Sequence, residues 1–434
     1  MKLLNVLYHG FGGDQPVRMG RLAWQDQIAW FEFSAEFLQH NFNPSPFSLD
    51  LATTLQKAPQ EPFGGLHGLF NDSLPDGWGL YLMDKAFRQT GRDPATVTPL
   101  DRLAFVGRRA MGAISYQPDE MENAERPTAG ELDIDTVGNE ATRLYQGELQ
   151  EVLEHHAVNG TPSAGARPKI LVGLSGDKAI EGADDLPSGY SHWLIKFPTG
   201  HTPDKRSEGT IEHIYALMAR DAGINMAETR LSRTRDGNAY FMTRRFDRTT
   251  GNRRRHVRSV AGLLNADFRT ADFEYRELIK LCGMLTHSHS EKVELFRRMV
   301  FNVATGNRDD HTKNFAFILS DKTEWRNTPA YDVTWNQGIV GEHSMSVNGK
   351  GKDIRLEDIL AIAGSASISR QDAGSVIEAV MESASGWNNL ALNHDVPSEQ
   401  RQDIYQYISS QQRALSAATV STSPTEKEIP LVSR

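Results

Sequence analysis

The order of apolar patterns between residues 169 and 304 restricts this chain more than any other feature. Two strand-like runs, Lys169–Leu174 and His192–Phe197, precede one helical stretch from about Ile211 to Ala222. That stretch has Ile214, Leu217 and Met218 on one face and Gly223 at its end. Two more strand-like runs follow, Glu228–Arg233 and Ala239–Thr243, and the pattern then turns helical. The helical runs are Phe273–Leu285 and Lys292–Ala304, the latter with Val293, Phe296, Val300 and Val303 inward. A one-sided helix must bury its apolar stripe against something, so this order specifies an α+β fold. Its parts are a small sheet with a helix laid over it and a helical mass behind.

The chain's 434 residues exceed one ordinary domain. Upstream, Leu3 to Tyr8, Met19 to Trp24 and Ile28 to Phe33 alternate as a small antiparallel sheet. Ser73-Leu74-Pro75-Asp76 reads as a helix start with Pro in the first turn, followed by Trp78, Tyr81, Leu82 and Lys85 at helical spacing. Gly91 stops that helix; a second near Asp101–Val106 and a strand at Ala113–Tyr116 complete an N-terminal α/β unit. Residues 118–133 are polar and acidic and read as a surface connector; a helix through Ala141–His155 follows. The tail from Ser421 has no periodicity and is expected to fray.

Charge and cysteine usage exclude some classes. Lys and Arg total 47 against 56 Asp and Glu, a net −9, which argues against coating nucleic acid by bulk charge. The single Cys282 rules out an internal disulfide and a Cys-built zinc site. The N-terminus lacks the apolar core of a secretory signal, and no stretch approaches the ~18 apolar residues of a membrane span. The expectation is a soluble cytoplasmic protein with no membrane partner.

The densest chemistry lies in Asn307-Arg308-Asp309-Asp310-His311-Thr312-Lys313-Asn314, between an amphipathic helix and the apolar strand Phe315–Leu319. Asp309 and Asn314 are five apart, the spacing of the base Asp and the metal-binding Asn in a kinase catalytic loop, where a carboxylate takes the proton of an attacking hydroxyl and an amide oxygen holds Mg²⁺. Lys313 could offset charge on a transferring phosphoryl group. Asp332, in Pro329-Ala330-Tyr331-Asp332-Val333, is a second metal candidate. Two other readings stand beside this one: a solvated Asx-rich loop, and a metal-dependent hydrolase with Asp309, Asp310, His311 and His343 as ligands. The hydrolase lacks the paired-His spacing of common zinc motifs. Lys196 sits inside an apolar strand and needs an anionic partner, for which Glu212 is the candidate, unless it lies at an edge and snorkels to water. The small residues from Asn159 to Lys169 could cradle phosphate or be a plain loop. The basic run Arg244, Arg245, Arg248, Arg253, Arg254, Arg255 and Arg258 reads foremost as a solvated hairpin end, and otherwise as a phosphate or DNA contact. His256 within it reads equally as a structural histidine.

Together these segments resemble the HipA-type toxin kinases of bacterial toxin–antitoxin modules. The matching stretches are Phe70 to Gly79, Val106-Gly107 with Gly112-Ala113, Ala164 to Lys169, Ile195 to Pro198, Arg245 to Arg248, Asn307 to Asn314 and Pro329 to Asp332. The resemblance implies an N-terminal α/β subdomain (1–120), a connector with a helix (121–160), a kinase-like N-lobe (161–247), a helical C-lobe (248–418) and a flexible tail (419–434). It implies a Ser/Thr kinase using ATP and Mg²⁺, with Asp309 as base and Asn314 and Asp332 as metal ligands. Lys196 would be the ATP lysine, and Ala164, Gly165, Ala166, Arg167 and Lys169 would lie in the phosphate loop. Arg244, Arg245 and Phe246 would form the adenine-side hinge; His311 and Lys313 would lie near the phosphates and Tyr331 within the nucleotide site. It further implies a small helix-turn-helix antitoxin that links the toxin to DNA indirectly, and an aminoacyl-tRNA synthetase target, notably glutamyl-tRNA synthetase. In well-studied members the loop reads Ser-x-Ala-Gly-Ala and that serine is autophosphorylated. Here Pro162 precedes Ser163, so Thr161 and Ser163 become the candidate acceptors. Two rivals are a pseudokinase-like module holding an antitoxin on DNA and a small-molecule or lipid kinase. The intact set Lys196, Asp309, Asn314 and Asp332 speaks against the first.

Overall fold

The computed structural model describes residues 2–12, 15–121, 130–149, 151, 154–160, 165–234, 236–320 and 323–416. The expected flexible tail at 419–434 lies outside them. No helix among the described residues is long and apolar enough to cross a membrane.

The N-terminal part contains β1 (Lys2–Tyr8), β2 (Val17–Gln25), β3 (Ile28–Phe33), α1 (Ala35–Leu38), β4 (Gln56–Lys57), α2 (Gly68–Asn71), α3 (Gly77–Gln89), α4 (Pro99–Val106) and β5 (Ile114–Gln117). The strands form one antiparallel sheet in the order β4-β3-β2-β1-β5. Alternation sends Leu4, Val6 and Tyr8 of β1 to a buried face, where Leu22, Phe31, Phe70, Leu100 and Leu103 meet them. Two readings need correction. Asp76 is the cap of α3, so Pro75 precedes the helix rather than occupying its first turn. The acidic connector is not all surface, because the Asp119 carboxylate is buried against Arg109 at 2.9 Å.

The single helix expected through Ala141–His155 is two, α5 (Ile134–Tyr145) and α6 (Glu154–Gly160). Gly147 adopts φ +77° in the turn that follows α5. Next come β6 (Lys169–Ser175), β7 (Lys178–Glu181), β8 (Ser191–Lys196), α7 (Pro203–Arg206), α8 (Glu208–Asp221), β9 (Thr229–Arg233) and β10 (Ala239–Arg244). They build an antiparallel sheet in the order β7-β6-β8-β10-β9. Sequence reading missed β7, whose four residues show no run of alternation and depend on a hairpin at Gly176, φ +59°. Ile170, Val172, Trp193, Ile195 and Tyr240 pack with Trp78 and Leu82 of α3 and Val137, Ala141 and Leu144 of α5. Helix α3 therefore packs against this second sheet.

The rest contains β11 (Val257–Ser259), α9 (Val260–Leu264), α10 (Tyr275–Thr286), α11 (His289–Thr305), β12 (Ala316–Leu319), β13 (Trp325–Asn327), α12 (Leu356–Ser365), α13 (Arg370–Ser385), α14 (Trp387–Asn393) and α15 (Ser398–Ser416). Its core runs from Phe296, Val300 and Val303 of α11 to Ile359, Val380 and Trp387. The basic run is not a solvated hairpin end, nor is it free to meet DNA as a block: Arg248, Arg254 and Arg258 are buried. Arg248 donates to the carbonyls of Ala110 and Gly112, each at 2.9 Å, and Arg254 to that of Arg108 at 2.7 Å. The Asp247 carboxylate accepts from the Gly112 N–H at 2.8 Å, so this run ties the N-terminal part to the rest. Of the two readings left open for His256 the structural one holds: it is buried, with Nε2 donating to the Pro44 carbonyl at 2.9 Å.

Candidate active site

Helix α11 ends at Gly306 in a left-handed conformation, φ +73°. A side chain there would strike the Trp335 ring at 2.3 Å, so only glycine lets the chain turn at once into the loop 307–314. The Asn314 Nδ2 donates back to the Asp309 carbonyl at 2.7 Å, which closes the five-residue spacing on itself. Asp309 is left half-exposed, its Oδ1 3.7 Å from His311 Nε2. Its carboxyl is pushed above the ordinary value, first by burial and then by the nearby Asp332 and Asp310 charges. Asp310 turns the other way. It is buried and accepts from the Tyr275 hydroxyl at 2.6 Å, His343 Nδ1 at 2.8 Å and the Ser344 N–H at 2.8 Å. The ligand set of the hydrolase reading is thus split, with Asp310 and His343 engaged in a structural network.

Lys169 and Lys196 are direct partners across the β6–β8 pair and are both buried. The edge-and-snorkel reading of Lys196 is overturned: its Nζ donates to Glu212 Oε1 at 2.6 Å and also to the Asp332 carboxylate. Arg167 donates to the other oxygen of Glu212 at 3.0 Å. Asp332 adopts φ +54° and keeps a third of its side chain exposed. Burial would raise its carboxyl, but the ammonium groups of Lys196 and Lys169 outweigh that and hold it well below the carboxylate range. Lys169 itself is brought down to about 8, by burial first and then by Lys196.

The start of α3 completes the group. The Lys313 Nζ donates to Asp76 Oδ2 at 2.9 Å, and the other oxygen of Asp76 accepts from the Gly165 N–H. The Trp78 N–H donates to the Gly165 carbonyl at 2.9 Å, and its indole to the Lys169 carbonyl at 3.0 Å. A Cβ at Gly77 would sit 2.7 Å from the Ala166 Cα, so the two backbones meet without room for a side chain. Asp76 was not among the expected site residues, although it lies in the Phe70 to Gly79 stretch; only its reach to Gly165 and Lys313 exposes it.

The remaining candidates lie around this centre. The Tyr331 hydroxyl donates to the Lys313 carbonyl at 2.7 Å, and its ring meets that of Phe246 at 5.6 Å. Arg245 is paired with Asp247 at 2.7 Å, whereas Arg244 is exposed and pairs with Glu228 at 3.3 Å. Ala164, Thr161 and Ser163, with Pro162, lie outside the described residues.

The donors suit a nucleotide and a hard cation. Asn314 spends its amide nitrogen inside the loop and keeps its oxygen for a ligand. With the Asp332 carboxylate it offers the oxygen set that Mg²⁺ takes. Lys169, Lys196 and Lys313 bring ammonium groups to this centre, Lys196 against Glu212 and Asp332 and Lys313 against Asp76, and such a group of cations suits a polyphosphate.

The family model of the HipA-like C-terminal domain matches residues 161–387, more than half of the chain, and that of the HipA N-terminal domain matches residues 13–117. A Sinorhizobium fredii protein bearing the name "Putative kinase Y4dM" is 25% identical over 346 residues, 75% of this chain and 76% of that protein. A Haemophilus influenzae protein, also named a putative kinase, is 30% identical over 101 residues, 21% of this chain and 29% of that one. Among solved structures, HipA of Shewanella oneidensis in complex with HipB and operator DNA superposes with a TM-score of 0.66 at 16% identity. The likeness covers 95% of this chain and 97% of that one and shows the kinase-like fold. With both HipA domains matched in order and the fold shared along nearly its whole length, the chain belongs to the HipA family.

Proposed function

We propose that this chain is a Ser/Thr protein kinase that moves the γ-phosphoryl group of ATP, with Mg²⁺, to a protein hydroxyl. The observation that carries the reading is the row in which the buried Lys196 joins the buried Glu212 of α8 to Asp332, with Asp309 and Asn314 on the adjoining loop. Bound ATP would supply the phosphoryl group, and Mg²⁺ would screen the phosphates from the site's carboxylates. Lys196, fixed by Glu212, and Lys169 would hold phosphate oxygens, while Asn314 and Asp332 would hold the metal. Asp309 would orient the acceptor hydroxyl and take its proton, a role helped by a carboxyl pushed above its ordinary value. Thr161 and Ser163 are proposed as acceptors of an autoinhibitory phosphate.

Family membership supports a reading of the partner and target. We infer restraint by a small helix-turn-helix antitoxin, through which DNA is reached, since the Shewanella relative is described in complex with HipB and operator DNA. The target class is an aminoacyl-tRNA synthetase, and the setting is cytoplasmic. The expected result for Asp309→Asn is ATP affinity within a few-fold of wild type and phosphoryl transfer slower by roughly 10²–10⁴-fold. Labelled-ATP transfer to protein and to extracted metabolites, beside a nucleotide titration, checks both. Turnover within tenfold of wild type would remove Asp309 from this role, and label only in metabolites would favour a small-molecule kinase.

A further inference from the structure

Helices α5 and α6 bring Glu140, His155 and His156 together, none of which belongs to the nucleotide site described above. Their ligand atoms all lie within 4.8 Å of one another. His155 Nε2 is 2.8 Å from Glu140 Oε2, and His156 Nε2 is 3.4 Å from the same oxygen. Four ligands at the ~2.0–2.1 Å of Zn²⁺ stand ~3.3 Å apart on the edges of a tetrahedron. The His156 separation already matches such an edge, the His155 contact must open by about half an ångström, and the two imidazole nitrogens, within 4.8 Å of each other, must settle on the third edge.

The His156 ring is fully buried, yet neither of its nitrogens has a hydrogen-bond partner among the described residues, and its Nε2 is aimed at Glu140. The His155 hydrogen bond takes up the Glu140 oxygen and leaves buried His156 only a 3.4 Å approach to the same atom, which is costly for a polar ring. A cation at the centre would employ all three. His155 and Glu140 each keep about a quarter of their side-chain surface in solvent, which provides an entry route.

We propose that Glu140, His155 and His156 form a site for a borderline divalent transition metal of the Zn²⁺ or Co²⁺ class. Two imidazoles and one carboxylate select such ions over Mg²⁺ and Ca²⁺, which take oxygen ligands. Three protein ligands leave a fourth position for water. The ion pins α6 to α5 across the turn at Gly147, and α6 runs directly into residue 161.

The test is a Co²⁺ titration of the full chain, without nucleotide and in a large excess of Mg²⁺ to fill oxygen sites. Wild type is expected to bind one equivalent with the visible absorption of a four-coordinate ion that Zn²⁺ displaces. Glu140→Gln and His155→Ala, both at partly exposed positions, should each weaken binding at least about tenfold, while Asp332→Ala binds as wild type does. X-ray absorption of the zinc-loaded wild type, which needs no variant, should show ligands at about 2.0–2.1 Å with imidazole scattering. No tight equivalent in wild type, a zinc environment without imidazole, or an unchanged titration in both variants would overturn the proposal.

Discussion

Lys169 and Lys196 face each other across two strands, an arrangement that like charges tolerate only where anions are close. Lys196 has two carboxylates against it; Lys169 sits among the charges of Asp332, Asp76 and Glu212, yet burial and the facing Lys196 bring its pKa down to about 8. The consequence is a pH dependence with a fixed sign. Below about 8 the ammonium is charged and attracts phosphate; above it the free protein holds a neutral amine that must take up a proton to bind. ATP affinity is therefore expected to be level near neutrality and to fall as pH rises through about 8. Lys169→Arg, which stays charged, should bind with no fall in that range. Nucleotide titrations of both proteins across the alkaline range check this, and parallel curves would mean that Lys169 does not face the phosphates.

At the scale of elements, the start of α3 acts as a stop for the loop that leads into β6. Asp76, Gly77 and Trp78 each meet Gly165 or Ala166, and Asp76 also fixes Lys313 from the loop before β12. Gly77 carries the tightest demand of the three, with φ +44° and the Ala166 Cα only 2.7 Å from where its Cβ would be. Gly77→Ala should cost about 1–2 kcal/mol for the backbone conformation alone, and more because the loop must yield. Urea unfolding measures that cost. Because the loop moves, ATP affinity should fall as well, whereas an exposed-face change on the same helix, such as Arg88→Ala, should alter neither. A Gly77→Ala protein that loses stability but binds ATP normally would separate α3 from the nucleotide site.

Across the whole molecule, a single carboxylate holds much of the seam. Asp247 accepts from Arg245 at 2.7 Å, Arg248 at 2.6 Å and the Gly112 N–H at 2.8 Å, all buried. Burial would raise its carboxyl, but the two guanidinium groups outweigh it and set it well below the ordinary range. Its contribution is thus fully present above the ordinary carboxylate pKa and lost only as pH falls towards the depressed value. Asp247→Ala leaves two arginines buried without their partner, and should cost about 3–5 kcal/mol. Chemical unfolding at neutral pH measures this, with limited proteolysis reporting whether the N-terminal part loosens first. A loss under 1 kcal/mol would mean that the seam rests on apolar packing instead.

Periodicity and turn chemistry alone determined much of this protein. The alternation of β1 to β3, the one-sided faces of α8 and α11 and the stop at Gly223 are local properties, and local properties are written in spacing. The loop 307–314 was legible because polar groups between two apolar elements have few places to go. The short β7 and the break between α5 and α6 were not, since a four-residue strand and a glycine turn are chosen by what packs beside them. Nor could spacing say where charges end up. Arg248, Arg254 and Arg258 look like a solvated run in sequence and are buried, the first two because backbone carbonyls of a distant segment meet them and the third beside the charge of Asp72. Asp309 and Asp310 are neighbours of one residue type, yet one opens to the site and the other is locked to Tyr275 and His343. Solvation of a charge is a non-local quantity, so only the tertiary structure decided which of these groups could serve a site and which had to hold the fold.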